Sequence, residues 1–411
     1  MRILIATQNR NLVGGVEMYL QAVIPGLLGR GHQVALLYEN SFSPKLKSID
    51  PPAAPLPAWC PTEGGTAAAM LSVAGWQPDV VYSQGLEDGS LEDALLGGYP
   101  TVLYGHNYYG TCISGRKCHS FPRATPCDRQ FGSACLILYY PRRCGGLHPA
   151  TMWAMFRRQS QLNSQLRQFQ SILVASKHMQ REFQKHGVRP DNLQIVPLPT
   201  TDILPQATAP VQKIPQGRIL FIGRLTDLKG ADYLIRAIPQ AASKIGRPLM
   251  LTIAGDGPER LKLQNLAVRA GIKVEFTGWL QTDRKLDLLR QADLLAVPSL
   301  WPEPFGLVGI EAGCLGLPAV GYAVGGIPEW LKPGQSGELA PSDPPTVEGL
   351  AEAMVRALAD ANHYARLCRG AWETARCFTL DAHLATLEPV LRAAKHTPAA
   401  DSYPDGERVH A

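Results

Sequence analysis

Nowhere in the 411 residues is there an uninterrupted apolar run of about 18, so a membrane-spanning helix is excluded, whereas attachment to a membrane surface is not. The apolar run at the start, Met1 to Ala6, is too short for a signal peptide and gives way at once to Thr7-Gln8-Asn9-Arg10; a cytoplasmic protein is expected. An excess of charge of one sign is nearly absent as well. Lys and Arg number 40 against 35 Asp and Glu, and a net +5 is too small for a nucleic-acid binder read over the whole chain. With 45% hydrophobic and 18% charged residues the composition excludes disorder, collagen-like repeats and a small disulfide scaffold. At roughly 100–200 residues per domain the length asks for two or three domains.

What is present is a repeated strand-helix alternation. Arg2 to Ala6 reads as a buried strand, Asn11 to Gly15 as a glycine turn, Val16 to Leu28 as a helix and Gln33 to Tyr38 as a second strand. This is a βαβ unit, and parallel strands need such a crossover. Val80–Ser83, Thr101–Gly105, Ser171–Ala175 and Leu193–Val196 continue the sheet, so residues 1–198 are expected to form one doubly wound domain with an insertion over about 107–150. The proline-rich run 199–217 is expected to be a linker. A second α/β domain spans 218–395, with strands at Ile219–Gly223, Leu249–Gly255, Val274–Thr277, Leu294–Pro298 and Pro318–Tyr322, and the last helix has the option of packing back on the first domain. Residues 396–411 turn polar and are expected to form a mobile tail. Two such domains face each other across a cleft at the carboxyl ends of their sheets.

The most informative segment runs from Val297 to Ala312. Two prolines break the chain before Phe305, and an apolar run from Leu307 to Leu315 suits a helix whose first turn exposes the backbone N–H groups of Phe305, Gly306, Leu307 and Val308. Such a helix start binds phosphate. Glu303 lies just outside it and Glu311 inside it, each able to hold hydroxyl groups; an ordinary helix with an acidic residue near its start is the plainer reading. Arg224 and Lys229 leave the end of a strand at the edge where α/β proteins bind ligands, and together they can neutralise a diphosphate. Two solvated surface charges are the plainer reading here.

Gly223-Arg224-Leu225…Lys229-Gly230, Ala254-Gly255-Asp256-Gly257-Pro258, Phe276-Thr277-Gly278-Trp279-Leu280, Val297-Pro298-Ser299, the Glu303-x7-Glu311 pair and Gly325-Gly326-Ile327-Pro328-Glu329 follow one another with a characteristic order and spacing. In this the chain resembles the retaining glycosyltransferases of family 4, which have the GT-B fold. The likeness is strong over 218–340 and looser in the first half, through Gly14-Gly15-Val16-Glu17 and His106. The resemblance implies that Arg224 and Lys229 hold the donor diphosphate, that the backbone of Phe305 to Val308 holds the distal phosphate and sugar, and that Glu311 binds the ribose. It further implies that Gly278 to Leu280 line the base, that Glu303 holds donor-sugar hydroxyls, that Gly14 and Gly15 let backbone approach the phosphate, and that His106 contacts the sugar from the opposite wall. Transfer with retention, from a nucleotide-diphosphate sugar and without a cofactor or catalytic metal, to a glycan or lipid-linked acceptor is the activity implied. The absence of any Asp-x-Asp, the metal-binding pair of the other glycosyltransferase fold, agrees with this. A sugar-nucleotide epimerase or phosphorylase on the same fold, and a non-catalytic sugar-nucleotide-binding subunit, are the alternatives. In one departure, Val196 is followed by Pro-Leu-Pro-Thr-Thr-Asp where the family often has Asn-Gly-Val-Asp.

Five of the nine cysteines, Cys112, Cys118, Cys127, Cys135 and Cys144, fall in the insertion with spacings of 6, 9, 8 and 9. Packing thiols, one or two disulfides, and a structural zinc with His119 are all open readings. His148, His178 and His186 read as surface or packing residues, Trp153 and Phe156 as core, and Asp256 as a turn former. Residues 106–160 carry Arg116, Lys117, Arg123, Arg129, Arg142, Arg143, Arg157 and Arg158 against Asp128 alone. The small net charge therefore hides a basic segment beside the acceptor side of the cleft; an anionic acceptor, such as a lipid-linked phosphate at a membrane surface, would account for it, and a solvated basic face is the plainer reading.

Overall fold

The structure, a computed structural model, describes residues 1–51, 55–122, 124–200 and 214–396. Most of the expected linker (201–213), most of the expected tail (397–411) and Arg123 lie outside the described residues.

The first sheet has seven parallel strands. In chain order they are β1 (Arg2–Thr7), β2 (Gln33–Tyr38), β3 (Ala58–Trp59), β4 (Val80–Ser83), β5 (Thr101–Gly105), β8 (Ser171–Val174) and β9 (Leu193–Ile195), with the small antiparallel pair β6 (Cys118–His119) and β7 (Thr125–Pro126) in the insertion. Their spatial order is β3-β2-β1-β4-β5-β8-β9. The second sheet has six parallel strands: β10 (Arg218–Ile222), β11 (Met250–Ala254), β12 (Val274–Gly278), β13 (Leu294–Val297), β14 (Ala319–Tyr322) and β15 (Gly337–Ala340), in the order β12-β11-β10-β13-β14-β15. Both orders reverse direction once, between β1 and β4 and between β10 and β13. At such a switch point the loops leaving neighbouring strands diverge and open a crevice beyond the carboxyl ends. The chain is thus an α/β protein of two doubly wound parallel-sheet domains.

The inner strands are buried on both faces, which is why they read as apolar runs rather than alternating ones. β15 and the two-residue β3 escaped the sequence reading; β15, Gly337-Glu338-Leu339-Ala340, has no apolar run to mark it. The C-terminal helix Leu380–Lys395 does not stay with the second domain. Its Leu384, Leu387, Val390, Leu391 and Ala394 join the first domain's core with Tyr19, Val23 and Leu27 of the helix Gly15–Gly29. Gly26 makes this approach possible, since a Cβ there would stand 2.4 Å from a Leu384 methyl.

The insertion is an ordered unit comprising the β6-β7 pair, the helix Ala134–Leu138 and the start of the helix Pro149–Gln165. The latter begins at Pro149, because His148 accepts from Ala150 N and Pro149 occupies the first helical position. Trp153 corrects the expectation of a core residue: it is 53% exposed, and Phe156 is only half-buried. The cause is that this helix buries only its second half, through Gln159, Leu162 and Gln165, while its first half projects from the sheet.

Leu387→Ala is expected to cost about 2–5 kcal/mol of first-domain stability by opening a cavity between the C-terminal helix and the sheet. Urea unfolding followed by fluorescence of Trp59 and Trp76, which pack on that domain, is the measurement.

Candidate active site

The strand order brings the loop after β10 beside the loop after β13, and Leu300 N donates to Leu228 O across them. The backbones meet so closely that a Cβ on Gly230 would lie 1.9 Å from Pro298 O, which together with its φ of +67° demands glycine. The pairing delivers Lys229 to Glu303. The Glu303 carboxylate is buried and accepts from Lys229 Nζ at 2.5 Å and from Ser299 Oγ at 2.6 Å. Burial alone would push its pKa up, but the Lys229 charge and the hydrogen bonds outweigh this and hold it below the usual carboxylate range. Lys229 also lies 5.4 Å from the centre of the Trp301 ring. Arg224 stands exposed on the loop after β10.

Behind Glu303 the turn Gly325-Gly326 packs directly on the Glu303–Phe305 backbone. Gly326 N donates to Glu303 O at 2.6 Å, and a Cβ on Gly325, whose φ is +55°, would stand 2.3 Å from the same oxygen. Trp330 Nε1 donates to Phe305 O. These contacts aim the helix Leu307–Cys314, whose N-cap Gly306 is left-handed and has no side-chain cap, so that its first N–H groups are left for a ligand. Glu311, on this helix, is paired with Lys285 at 2.7 Å. Gly278 ends β12 with φ +73°, Trp279 after it is 77% exposed, and Leu280 packs on the core. Asp256 Oδ1 accepts from Gly257 N, a turn contact.

On the opposite wall His106 follows β5. Its Nε2 donates to Gln84 Oε1 at 2.9 Å, since Gln84 turns its amide nitrogen to Tyr82 O. Burial, reinforced by nearby His383, lowers the His106 pKa to about 3, so the ring is neutral and Nδ1 is its acceptor. Gly14 caps the helix Gly15–Gly29, its N–H given to Glu17 Oε2, and both Gly14 and Gly15 are exposed at the carboxyl end of β1. The walls are tied together: Tyr108 OH donates to Pro302 O at 2.8 Å, one residue from Glu303, and Lys177 N donates to Glu329 Oε1. Sequence reasoning assigned no role to Tyr108, Gln84, Ser299, Lys285 or Trp301. Ser299 and Trp301 stand inside the quoted motifs; the other three are marked by nothing local.

All five insertion cysteines are free thiols, and among the described residues no three His, Cys, Asp or Glu side chains stand together as a metal site. The structure therefore shows neither the disulfide nor the zinc. Cys112 instead accepts from Lys117 N, and burial pushes the Cys118 and Cys144 thiols up to about 12, away from thiolate chemistry. Lys117 is withdrawn from the basic surface, being buried against Glu182 at 2.9 Å, and Arg158 is paired with Glu87.

Two doubly wound parallel-sheet domains, with an uncapped helix start, a basic loop and a buried carboxylate at one switch point, make this an α/β protein of GT-B type. The family described as "Glycosyltransferase Family 4" matches residues 13–200, and "Glycosyl transferases group 1" matches residues 210–373. The chain belongs to this glycosyltransferase family. An uncharacterised glycosyltransferase of Methanocaldococcus jannaschii is 42% identical over 116 residues, 28% of this chain and 29% of that protein. D-inositol 3-phosphate glycosyltransferase of Streptomyces griseus is 35% identical over 195 residues, 43% of this chain and 40% of that one. The match thus spans less than half the length of these curated relatives. Anabaena HepE in complex with UDP-glucose superposes with a TM-score of 0.67 at 19% identity, covering 96% of this chain and 100% of HepE. Sucrose-phosphate synthase from Thermosynechococcus elongatus gives 0.67 at 20% identity, covering 95% and 98%.

Two expectations follow. Gly325→Ala should displace the Glu303 backbone and lower kcat by on the order of a hundredfold with little loss of fold, checked by steady-state kinetics beside circular dichroism. Glu92, buried behind His106, has its pKa raised by burial to about 7 against an ordinary 4.5, despite hydrogen bonds from Leu86 N and Ser83. A raised native pKa stabilises below pH 4.5 and is lost as pH rises through 7. Between pH 4.5 and pH 8, Glu92→Gln should therefore gain on wild type by on the order of 3 kcal/mol, read by urea midpoints.

Proposed function

We propose that the protein transfers a sugar, with retention of anomeric configuration and without a catalytic metal, from a nucleotide-diphosphate sugar to a glycan or lipid-linked acceptor on the cytoplasmic side of a polysaccharide or glycolipid pathway. The observation that carries this reading is the convergence of Lys229, Ser299, Glu303 and the uncapped Gly306 helix start at one switch point, with His106 held on the facing wall by the Tyr108–Pro302 contact. HepE, of the same fold, binds UDP-glucose, which supports a nucleotide sugar as donor.

In this mechanism the diphosphate lies against the helix start, and Lys229 and Arg224 take up the charge that develops as the sugar–phosphate bond breaks. Lys229 exchanges part of its contact with Glu303 for the phosphate, which frees Glu303 to accept from sugar hydroxyls. Glu311, held by Lys285, accepts from the ribose, and exposed Trp279 offers a face to the base beside Gly278 and Leu280. His106, neutral and with Nδ1 unprotonated, accepts from a sugar hydroxyl; a pKa of about 3 makes it a poor base, so the acceptor proton passes to the leaving phosphate on the same face. A D-inositol 3-phosphate glycosyltransferase among the relatives supports a hydroxylated, anionic acceptor.

Nucleoside diphosphate should be released in step with acceptor glycosylation and persist after exhaustive chelation. Turnover of the donor without acceptor, to an isomerised or phosphorolysed sugar, would favour the epimerase or phosphorylase, and binding without turnover the non-catalytic subunit. Lys229→Ala should lower kcat by on the order of a hundredfold at saturating donor. Product stereochemistry read by NMR decides retention.

A further inference from the structure

We propose that the face formed by the insertion and the first turns of the helix Pro149–Gln165 docks on an anionic lipid bilayer, with apolar side chains seated in the headgroup region and arginines on lipid phosphates. This deepens the reading of a lipid-linked acceptor and rests on it for its purpose, though not for its chemistry.

Phe121, Ile137, Tyr140, Leu147 and Trp153 are all exposed within one short stretch, Ile137 by 76% and Leu147 by 81%. Single exposed apolar residues mean little, but a group on one structural unit marks a binding surface. Contacts make it one unit. Phe121 N and Ser120 N donate to Arg142 O, Arg143 lies 4.9 Å over the Phe121 ring, and Cys144 N donates to Tyr139 O. Tyr139 OH reaches Met155 Sδ on the helix, where Trp153 stacks on Phe156 and Phe156 meets Phe131.

Interleaved with these side chains, Arg116, Arg129, Arg142, Arg143 and Arg157 are exposed, and Asp128 is the one acid of residues 106–160. A soluble polyanion would pair with the arginines and leave Ile137, Leu147 and Trp153 in water. A bilayer carrying negative lipids satisfies both halves of the surface, each charge near the membrane adding attraction and each apolar side chain adding burial. Geometry then aligns the cleft with the membrane. Gly110 N donates to Gln159 Oε1 and Asn163 Nδ2 to Gly110 O, fastening this unit to the chain just past His106 and the Tyr108–Pro302 contact. An acceptor held by its lipid in the bilayer would enter beside His106.

The test is sedimentation of the full chain with vesicles of phosphatidylcholine alone and of phosphatidylcholine with about one-third phosphatidylglycerol. Wild type should bind the anionic vesicles and far less of the neutral ones. The triple variant Ile137→Ser, Leu147→Ser, Trp153→Ser and the double variant Arg142→Gln, Arg143→Gln should each weaken binding about tenfold or more. The proposal is overturned if neither lipid binds, if the serine variant binds as wild type does, or if the serine side chains instead abolish a dimer seen by sedimentation velocity. Equal affinity for heparin and for vesicles in both variants would likewise overturn it, in favour of a polyanion. Donor turnover with a soluble acceptor separates the two readings. Wild type that turns over donor but binds neither vesicle sinks the bilayer surface alone, while wild type that docks without any turnover sinks the transferase.

Discussion

The ion pair between Lys229 and Glu303 is the constraint on which the arrangement of the site depends. A buried carboxylate is costly unless it is ionised beside a partner charge and hydrogen-bonded. Glu303 meets that condition only because two loops from neighbouring strands arrive together, one carrying Lys229 and the other Ser299. Glycine at 230 and 325 is the covalent condition for that meeting, since backbone takes the room a Cβ would fill. On the proposed function, a donor bringing its own anionic phosphate and its own hydroxyls would take over both halves of the pair, whose opposite charges offset each other in this structure.

The two domains are joined by more than the connecting segment. The helix Leu380–Lys395 returns to the first domain and sets His383 beneath the wall that carries His106. His383 Nδ1 donates to Pro197 O, its Nε2 accepts from Tyr19 OH, and Tyr82 OH in turn donates to Tyr19. Burial lowers the His383 pKa to about 4, so this chain has a single proton arrangement at neutral pH. His106 stacks against the same aromatic group, at 4.7 Å from Tyr104 and 5.2 Å from Tyr19. The Pro197–Thr200 segment, which departs from the family pattern, is used in this joint: Thr200 N donates to Phe378 O. The residues that vary from the family's run thus serve the closure of the two domains.

Strands buried on both faces are legible because they are continuous apolar runs, and Gln33–Tyr38, Val80–Ser83 and Thr101–Gly105 coincide with their expected limits. Arg224, Lys229, Glu303 and Glu311 could be singled out as candidates because they stand in short motifs of fixed spacing, and the structure brings Lys229 and Glu303 into contact. The insertion was not legible. Its cysteines left packing thiols, bridges and a metal open together, because a count carries no distances. Lys117 and Arg158 counted as surface charge until Glu182 and Glu87 were found opposite them, 65 and 71 positions away in sequence. Trp153 resembled a core residue because helical spacing tells which residues share a face, not whether that face has a neighbour.

Local periodicity and short motifs were enough to mark out the two α/β halves and the family, and to single out the candidate donor-side residues. Tertiary structure alone decided that Lys229 pairs with Glu303, that Tyr108 bridges to Pro302, that His106 is a neutral acceptor, and that the basic insertion presents arginines together with apolar side chains. Each of these depends on groups distant in sequence meeting in a medium from which water is excluded. There a charge or a hydrogen bond takes its strength, and a pKa its value, from neighbours that no local pattern names.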